Sequence, residues 1–296
     1  MKRIVSLVLA FILTLGLSAC TDVQNTSVAN APTTDGGAQD YGYLGRLSKL
    51  NVSDEELNEA VKDHIDQYVY SGFIFYDNLN SMLMALNNGE IGMLAIDLNS
   101  ANYIASRHEN CVVRVPDWGV NMMSFSMLLR EEDTELRDNI SEIMRQMNLD
   151  GTTEALKHTY IDDVIAGEDP EAVVPQEFEN AKTIKVAVTG DRPPMDYISA
   201  GGEPMGFNTA LIAEVAKRLE MNVEFVSMDS AARGVSLATG VSDVVFWMEH
   251  TDFGNWDGAD VEDQPEHTIA TEAYLTSPYS LVVLDSSPLA EILQAP

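Results

Sequence analysis

The chain has 296 residues, 17 Lys and Arg against 47 Asp and Glu, a formal net charge of −30 and two cysteines. So acidic a composition argues against nucleic acid or an anionic membrane surface as a partner, because both recruit positive charge. Cys20 ends a leader-like segment, and with Cys20 lipidated Cys111 has no partner for an intramolecular disulfide; the roughly 255 residues behind the leader and the tether that follows it suffice for two modest lobes.

Residues 1–19 have a basic start, an apolar run and small residues before Cys20, the pattern of a secretory signal too short for a typical membrane span. Leu17-Ser18-Ala19-Cys20 also resembles the bacterial lipobox, which implies lipidation at Cys20 and an extracytoplasmic chain held at the membrane by that anchor. The plainer alternative is an ordinary signal peptide with an incidental cysteine. Residues 20–40, rich in Thr, Asn, Gly and Asp, read as a flexible tether.

In 41–71 the only clear signal is a capping box, Ser53 with Glu56, opening a helix through Leu57, Ala60, Val61 and Ile65. From Gly72 an apolar strand runs to Asp77, taken as the N-cap of a helix with Leu79, Met82, Leu83 and Leu86 inside. Asn-Asn-Gly ends that helix, and a strand Met93–Ile96 closes on Asp97. Further on, Leu136, Ile140, Ile143, Met144 and Met147 mark the apolar face of helices within 121–165. Most of the fourteen methionines lie on such faces and read as core filler.

An acidic, Pro-containing linker (166–182) leads to a β-branched strand, Ile184–Val188, stopped by Gly190, Asp191, Pro193 and Pro194. Asn208 reads as the N-cap of a helix with Ala210, Leu211, Val215, Ala216 and Leu219 on one face. A strand Val223–Val226, a helix from Asp229 and a strand Val244–Trp247 follow. Strand and helix alternate with short connections, so the unit is doubly wound α/β, with ligands expected at the carboxyl ends of its strands. The order strand, Asp, helix, Gly, strand, carboxylate occurs twice, around Gly89 and Gly240, and suggests two similar lobes.

The runs VAVTGDRPPMDYI, GFNTALIAEVAKRLEMNVEFV and LATGVSDVVF resemble the first lobe of the bacterial family 3 solute-binding proteins, two-lobed receptors that serve ABC importers. FYDNLNSMLMALNNGEIGMLAIDLNSANYIA resembles their second lobe, and residues 121–165 their return strand and closing helices. The resemblance implies a bilobal type II periplasmic-binding-protein fold with its segments in permuted order. The second-lobe-like part (41–120) precedes the first-lobe-like part (183–296), which ends in a crossover strand within YLTSPYSLVVLDSSPLAEI. Either the chain is circularly permuted or one lobe is incomplete, since the family's first second-lobe strand is not visible before Gly72 or after Ile292.

What the resemblance implies is binding without catalysis: capture of an amino acid or other amine-bearing solute and hand-over to an ABC permease. No cofactor or metal follows from it. A ligand-silent interaction or sensory module that kept the fold is the alternative. By family position Asp97 would receive the ligand's ammonium, or else merely cap the segment Leu98–Ala105. Asp191 and Tyr197 would flank the cleft, or sit on a solvated turn. Trp247 would serve as a wall, and Glu249 would add a third carboxylate to a field that attracts ammonium groups. The family's carboxylate-clamping arginine is missing after Phe246; Arg233 is the candidate substitute, while Arg192 reads as a surface residue. The acidic insertion 251–268 lacks calcium-loop spacing and reads as a solvated loop. Cys111 beside His108 and Asp117 carries no nucleophile signature and reads as a small buried side chain.

Overall fold

Two parallel strand–helix runs, joined through antiparallel strands, form the two halves of one curved sheet. The computed structural model describes residues 42–62, 71–115, 122–251 and 263–293. The leader, the tether, Cys20, Ile65, Asp117 and the middle of the acidic insertion lie outside those residues.

One lobe is built from β1 (Tyr43–Leu47), α1 (Asp54–Val61), β2 (Gly72–Tyr76), α2 (Leu79–Asn87), β3 (Ile91–Asp97), α3 (Leu98–Arg107) and β4 (Cys111–Arg114). β1 lies between β2 and β3 and is parallel to both. This is the opening strand that the sequence does not declare. Its middle residues Leu44, Gly45 and Arg46 are all buried, so the period-2 alternation that reveals a half-exposed strand is missing. The lobe thus has a parallel strand ahead of Gly72, at the centre of β2, β1 and β3.

The capping box forms as expected: Ser53 Oγ accepts from Glu56 N, and the Glu56 carboxylate accepts from Ser53 N. The cap of α2 is Asn78, not Asp77. Asn78 has the extended backbone of a cap and its Oδ1 accepts from Ser81 N at 2.9 Å, whereas Asp77 Oδ1 accepts from Ser48 Oγ at 3.2 Å. Leu79, Met82, Leu83 and Leu86 pack with Leu94, Ile96 and Ile104 into this lobe's own core.

β5 (Met122–Arg130) crosses to the other lobe, followed by α4 (Thr134–Leu149), α5 (Thr152–Lys157), one π-helical turn (158–162) and α6 (Asp163–Ala166). α4 and α5 pack on α7 (Phe207–Arg218), which lies beyond the linker 166–182. The linker itself is pinned along this lobe: Val173 N donates to Pro204 O and Phe178 N to Asn222 Oδ1.

The second run begins with β6 (Thr183–Val188) and a small antiparallel sheet of β7 (Asp191–Arg192), β8 (Asp196–Ile198) and β9 (Pro204–Met205). Gly206 then opens α7 at φ 100°, with the position of a Cβ only 2.4 Å from Met195 O, so no other residue fits without a backbone shift. Gly206 is the cap residue, and Asn208 lies inside the helix, fully buried, donating from Nδ2 to Asp196. β10 (Asn222–Ser227), a 3-10 turn (230–232), α8 (Arg233–Ala238), β11 (Val244–Thr251), β12 (Thr268–Ala270), β13 (Leu275–Leu284) and α9 (Leu289–Ile292) complete the described chain.

The strand order is β10-β6-β11-β5-β13-β3-β1-β2, with β12 on β5 and β4 on β13. β13 spans both lobes. Its residues 275–278 pair with β5, and 279–284 pair with β3 and β4. Leu281, Val282 and Val283 are fully buried, each contributing about 1.5–3 kcal/mol of apolar burial to this shared strand.

Candidate functional site

β3 and the β6–β7 turn, each at the carboxyl end of a parallel strand, bring Asp97 of one lobe against Arg192 of the other. Asp97 is fully buried, and its Oδ2 accepts from Arg192 Nη2 at 2.8 Å. Its other oxygen accepts from Ser100 N, capping α3. Both roles read from the sequence, cation partner and helix cap, thus reside in one carboxylate, with a cation supplied by the chain itself. The Arg192 guanidinium lies 3.4 Å from the Trp247 ring centroid and 5.7 Å from that of Phe125. Trp247, at φ 71°, donates from Nε1 to Asp196 Oδ2 at 2.7 Å, and Phe125 meets it edge-on. Asp196 is fully buried; it also accepts from Thr189 N and Asn208 Nδ2, so it fixes the aromatic wall.

A second charged group lies beside the first. Glu249 on β11 accepts from Arg46 at 2.5 Å and lies 3.0 Å from Lys49, both from the opposite lobe. Burial, partly offset by Glu249, lowers the Lys49 ammonium from its usual value. Arg233 is buried, pulled down to about 10 by that burial, and donates to the carbonyls of Ser230, Phe246 and Ser48. Asp263 accepts from Leu50 N and Asn51 N, and burial raises its carboxyl. Asp191 accepts from Leu79 N at the start of α2, and burial raises it too. Between these groups remains a cavity of about 20 Å³, lined by Arg46, Lys49, Phe125, Arg192, Trp247 and Glu249 among others. That is room for about one water molecule, against the ~300–1,000 Å³ of a typical ligand pocket. The lobes are closed on each other's side chains.

Residues 184–252 match the bacterial extracellular solute-binding proteins, family 3. The family resemblance drawn from the sequence is borne out over that stretch, which lies wholly in the second strand–helix run of a mixed α/β fold. No curated protein matches the chain. Among solved structures, the fold is similar to the GluR0 ligand-binding core in complex with L-glutamate, at 12% identity over 85% of this chain and 87% of that one, TM-score 0.37. It is also similar to a zinc-bound ligand-binding component of an ABC-type import system from Staphylococcus aureus, at 11% identity over 84% and 67%, TM-score 0.41. A third similar structure is an ABC transporter periplasmic substrate-binding protein from Coxiella burnetii, at 12% identity over 86% and 92%, TM-score 0.36. Likenesses this distant say nothing of a ligand.

The solute-binding resemblance placed six residues at a ligand. The structure brings Trp247, Glu249 and Arg233 to one cavity, ties Asp97 to it through Arg192, and leaves Asp191 and Tyr197 out of its lining. Tyr197 is half-buried in β8, with its hydroxyl pushed up to about 12 mainly by burial. Arg233 is not a solvated helix-surface arginine, since all three of its donor nitrogens go to backbone carbonyls. The expected field of three uncompensated carboxylates is absent. Arg192 neutralises Asp97, Arg46 and Lys49 neutralise Glu249, and a helix N-terminus receives Asp191.

Arg192 is the main correction: it is only 6% exposed, not a surface residue. The available signal was the two-residue strand, which turns Asp191 and Arg192 to opposite sides. Arg46, Lys49, Asp196 and Asp263 carried no local signal. Cys111 is buried in β4 and its thiol is raised chiefly by burial, which fits a packing residue and not a nucleophile. Among the described residues, no three His, Cys, Asp or Glu side chains gather as a metal cluster, and no helix is long and apolar enough to cross a membrane.

Proposed function

We propose that the chain is an extracytoplasmic, lipid-anchored receptor that captures a small amine-bearing solute, such as an amino acid, and presents it to an ABC permease without catalysing a reaction. The observation that carries this reading is the Asp97–Trp247 pair, a buried carboxylate beside an aromatic face, already holding a cation. Arg46 and Lys49, now on Glu249, supply a neighbouring place for an acidic group. A solute of that kind enters when the lobes part about the shared strand β13, and closure buries it. The lipobox-like Leu17–Cys20 supports the anchor.

A thermal-shift screen over amino acids, polyamines and short peptides tests the capture, since a ligand at 100 times its Kd stabilises by about 2.7 kcal/mol. A stabilising solute whose effect disappears in Asp97→Ala supports the reading. Mass spectrometry of the amino-terminal peptide tests the anchor, and an unmodified Cys20 sinks it. One observation favours a second reading, a ligand-silent module: every charged group of the cleft has a partner within the chain, around a cavity of about 20 Å³. Silence across the whole screen would select it.

A further inference from the structure

The group lying against Asp97 and Trp247 is a guanidinium, and the contacts suit that flat cation better than an ammonium. A separation of 3.4 Å from the indole centroid is a stacking distance, which a planar ion uses over its whole face while a tetrahedral one touches at a point. The carboxylate of Asp97 meets one terminal N–H of Arg192, and Phe125 stands near the cation. Asp196 holds both sides of this cage: its backbone pairs with Arg192 across β7 and β8, and its carboxylate receives the indole N–H of Trp247.

Arg192 nevertheless fills the cage imperfectly. Its Nε is buried and donates to no protein atom among the described residues. Asp97 is engaged through one terminal nitrogen only, with its second oxygen given to Ser100 N, so the two-bond fork available to a free guanidinium is not made. The occupant is also tied to β7, which restricts how it can turn towards its partner.

We infer that Asp97, Trp247 and Phe125 form a guanidinium-binding site and that Arg192 is its resident occupant, displaced when a guanidino solute binds. This deepens the solute-binding reading and rests on its cation subsite, narrowing the solute from amines in general to guanidino compounds. It also makes lobe closure self-sustaining: the empty receptor holds its own cation, and solute binding becomes an exchange of one guanidinium for another.

The test uses the full chain, wild type and Arg192→Ala, with Arg192→Gln alongside in case the alanine variant folds poorly. Methylguanidinium and methylammonium are titrated by calorimetry and by thermal melts. The expected result is that methylguanidinium binds either variant at least tenfold more tightly than wild type, raises its Tm, and outcompetes methylammonium at least tenfold. Trp247→Leu added to Arg192→Gln should abolish that preference. Equal binding of methylguanidinium to wild type and both variants, or equal binding of the two cations, overturns the inference. If wild type binds an amine in the solute screen while the variants gain no guanidinium affinity, this inference falls and the receptor reading stands. If the variants gain guanidinium affinity while wild type binds nothing in the screen, the cage is upheld, and the receptor reading, with displacement, falls.

Discussion

Replacing Asp97 by asparagine separates the two roles of that carboxylate. Asparagine still offers an oxygen to Ser100 N, so the cap on α3 survives, but the negative charge opposite Arg192 is gone. Arg192 has a side chain only 7% exposed and cannot reach water while the lobes stay closed. An orphaned buried cation costs about 3–5 kcal/mol. At roughly 2–4 °C per kcal/mol for a chain of this size, Asp97→Asn should melt roughly 6–20 °C lower than wild type. Asp97→Ala also loses the cap and should fall by about 1 kcal/mol more. Adding Arg192→Gln to Asp97→Asn removes the orphan and should recover much of the loss, a coupling of up to about 3 kcal/mol. Circular-dichroism melts of the four proteins decide it. An Asp97→Asn protein that melts within about 2 °C of wild type, or a double mutant no more stable than Asp97→Asn, would refute the buried pair.

Three further outcomes follow from the same geometry. Glu249→Gln leaves Arg46 and Lys49 without their shared carboxylate and should weaken closure by about 2–5 kcal/mol, seen as a larger radius in solution scattering; an unchanged radius and melt would contradict it. Gly206→Ala places a methyl group against Met195 O at a left-handed φ, and should cost at least the ~1–3 kcal/mol of such strain, read as a lower Tm. Asp191 and Asp263 have carboxyls raised above 3.8, chiefly by burial, so they hold protons more tightly when folded. The stability they contribute is full below 3.8 and is lost as pH rises through their raised values. The lowered carboxyls of Asp150, Glu214 and Asp243 act in the opposite sense, so the readout is a difference: in high salt, the Tm of Asp191→Asn/Asp263→Asn should rise relative to wild type as pH increases through that window.

What the sequence reveals is what local burial writes into it. α2 was legible because its apolar residues follow the helical period, and β6 and β3 because they are short apolar runs bounded by turn residues, whereas Gly45 and Arg46 interrupt β1. Asp97 stood out as a carboxylate ending an apolar strand. The cleft's other half was not legible, because its partners are set by chain crossing and not by period. Arg46 and Glu249 lie 203 residues apart, and nothing near Arg46 marks it as buried. Arg192 and Asp196 pair across a hairpin with only two residues of β7 in it, too brief a run to show alternation. Asn208 has a favourable cap residue's identity, but the turn at Gly206 moved the helix start and sent its side chain to Asp196.

The shared strand β13 also dictates how the protein must fold. β5 enters the sheet between β11 and β13, yet both of those neighbours are synthesised after it, and β3 waits for β13 across 184 residues to complete its pairing at Ile96. Neither lobe can be finished from a contiguous stretch of nascent chain, so the first half emerges with open strand edges until the last long strand arrives. Such long-range pairing slows folding and leaves intermediates prone to edge-to-edge association. The heavy negative charge of the chain, beyond its effect on partners, then acts as a kinetic safeguard: it keeps half-made molecules apart until β13 is in place.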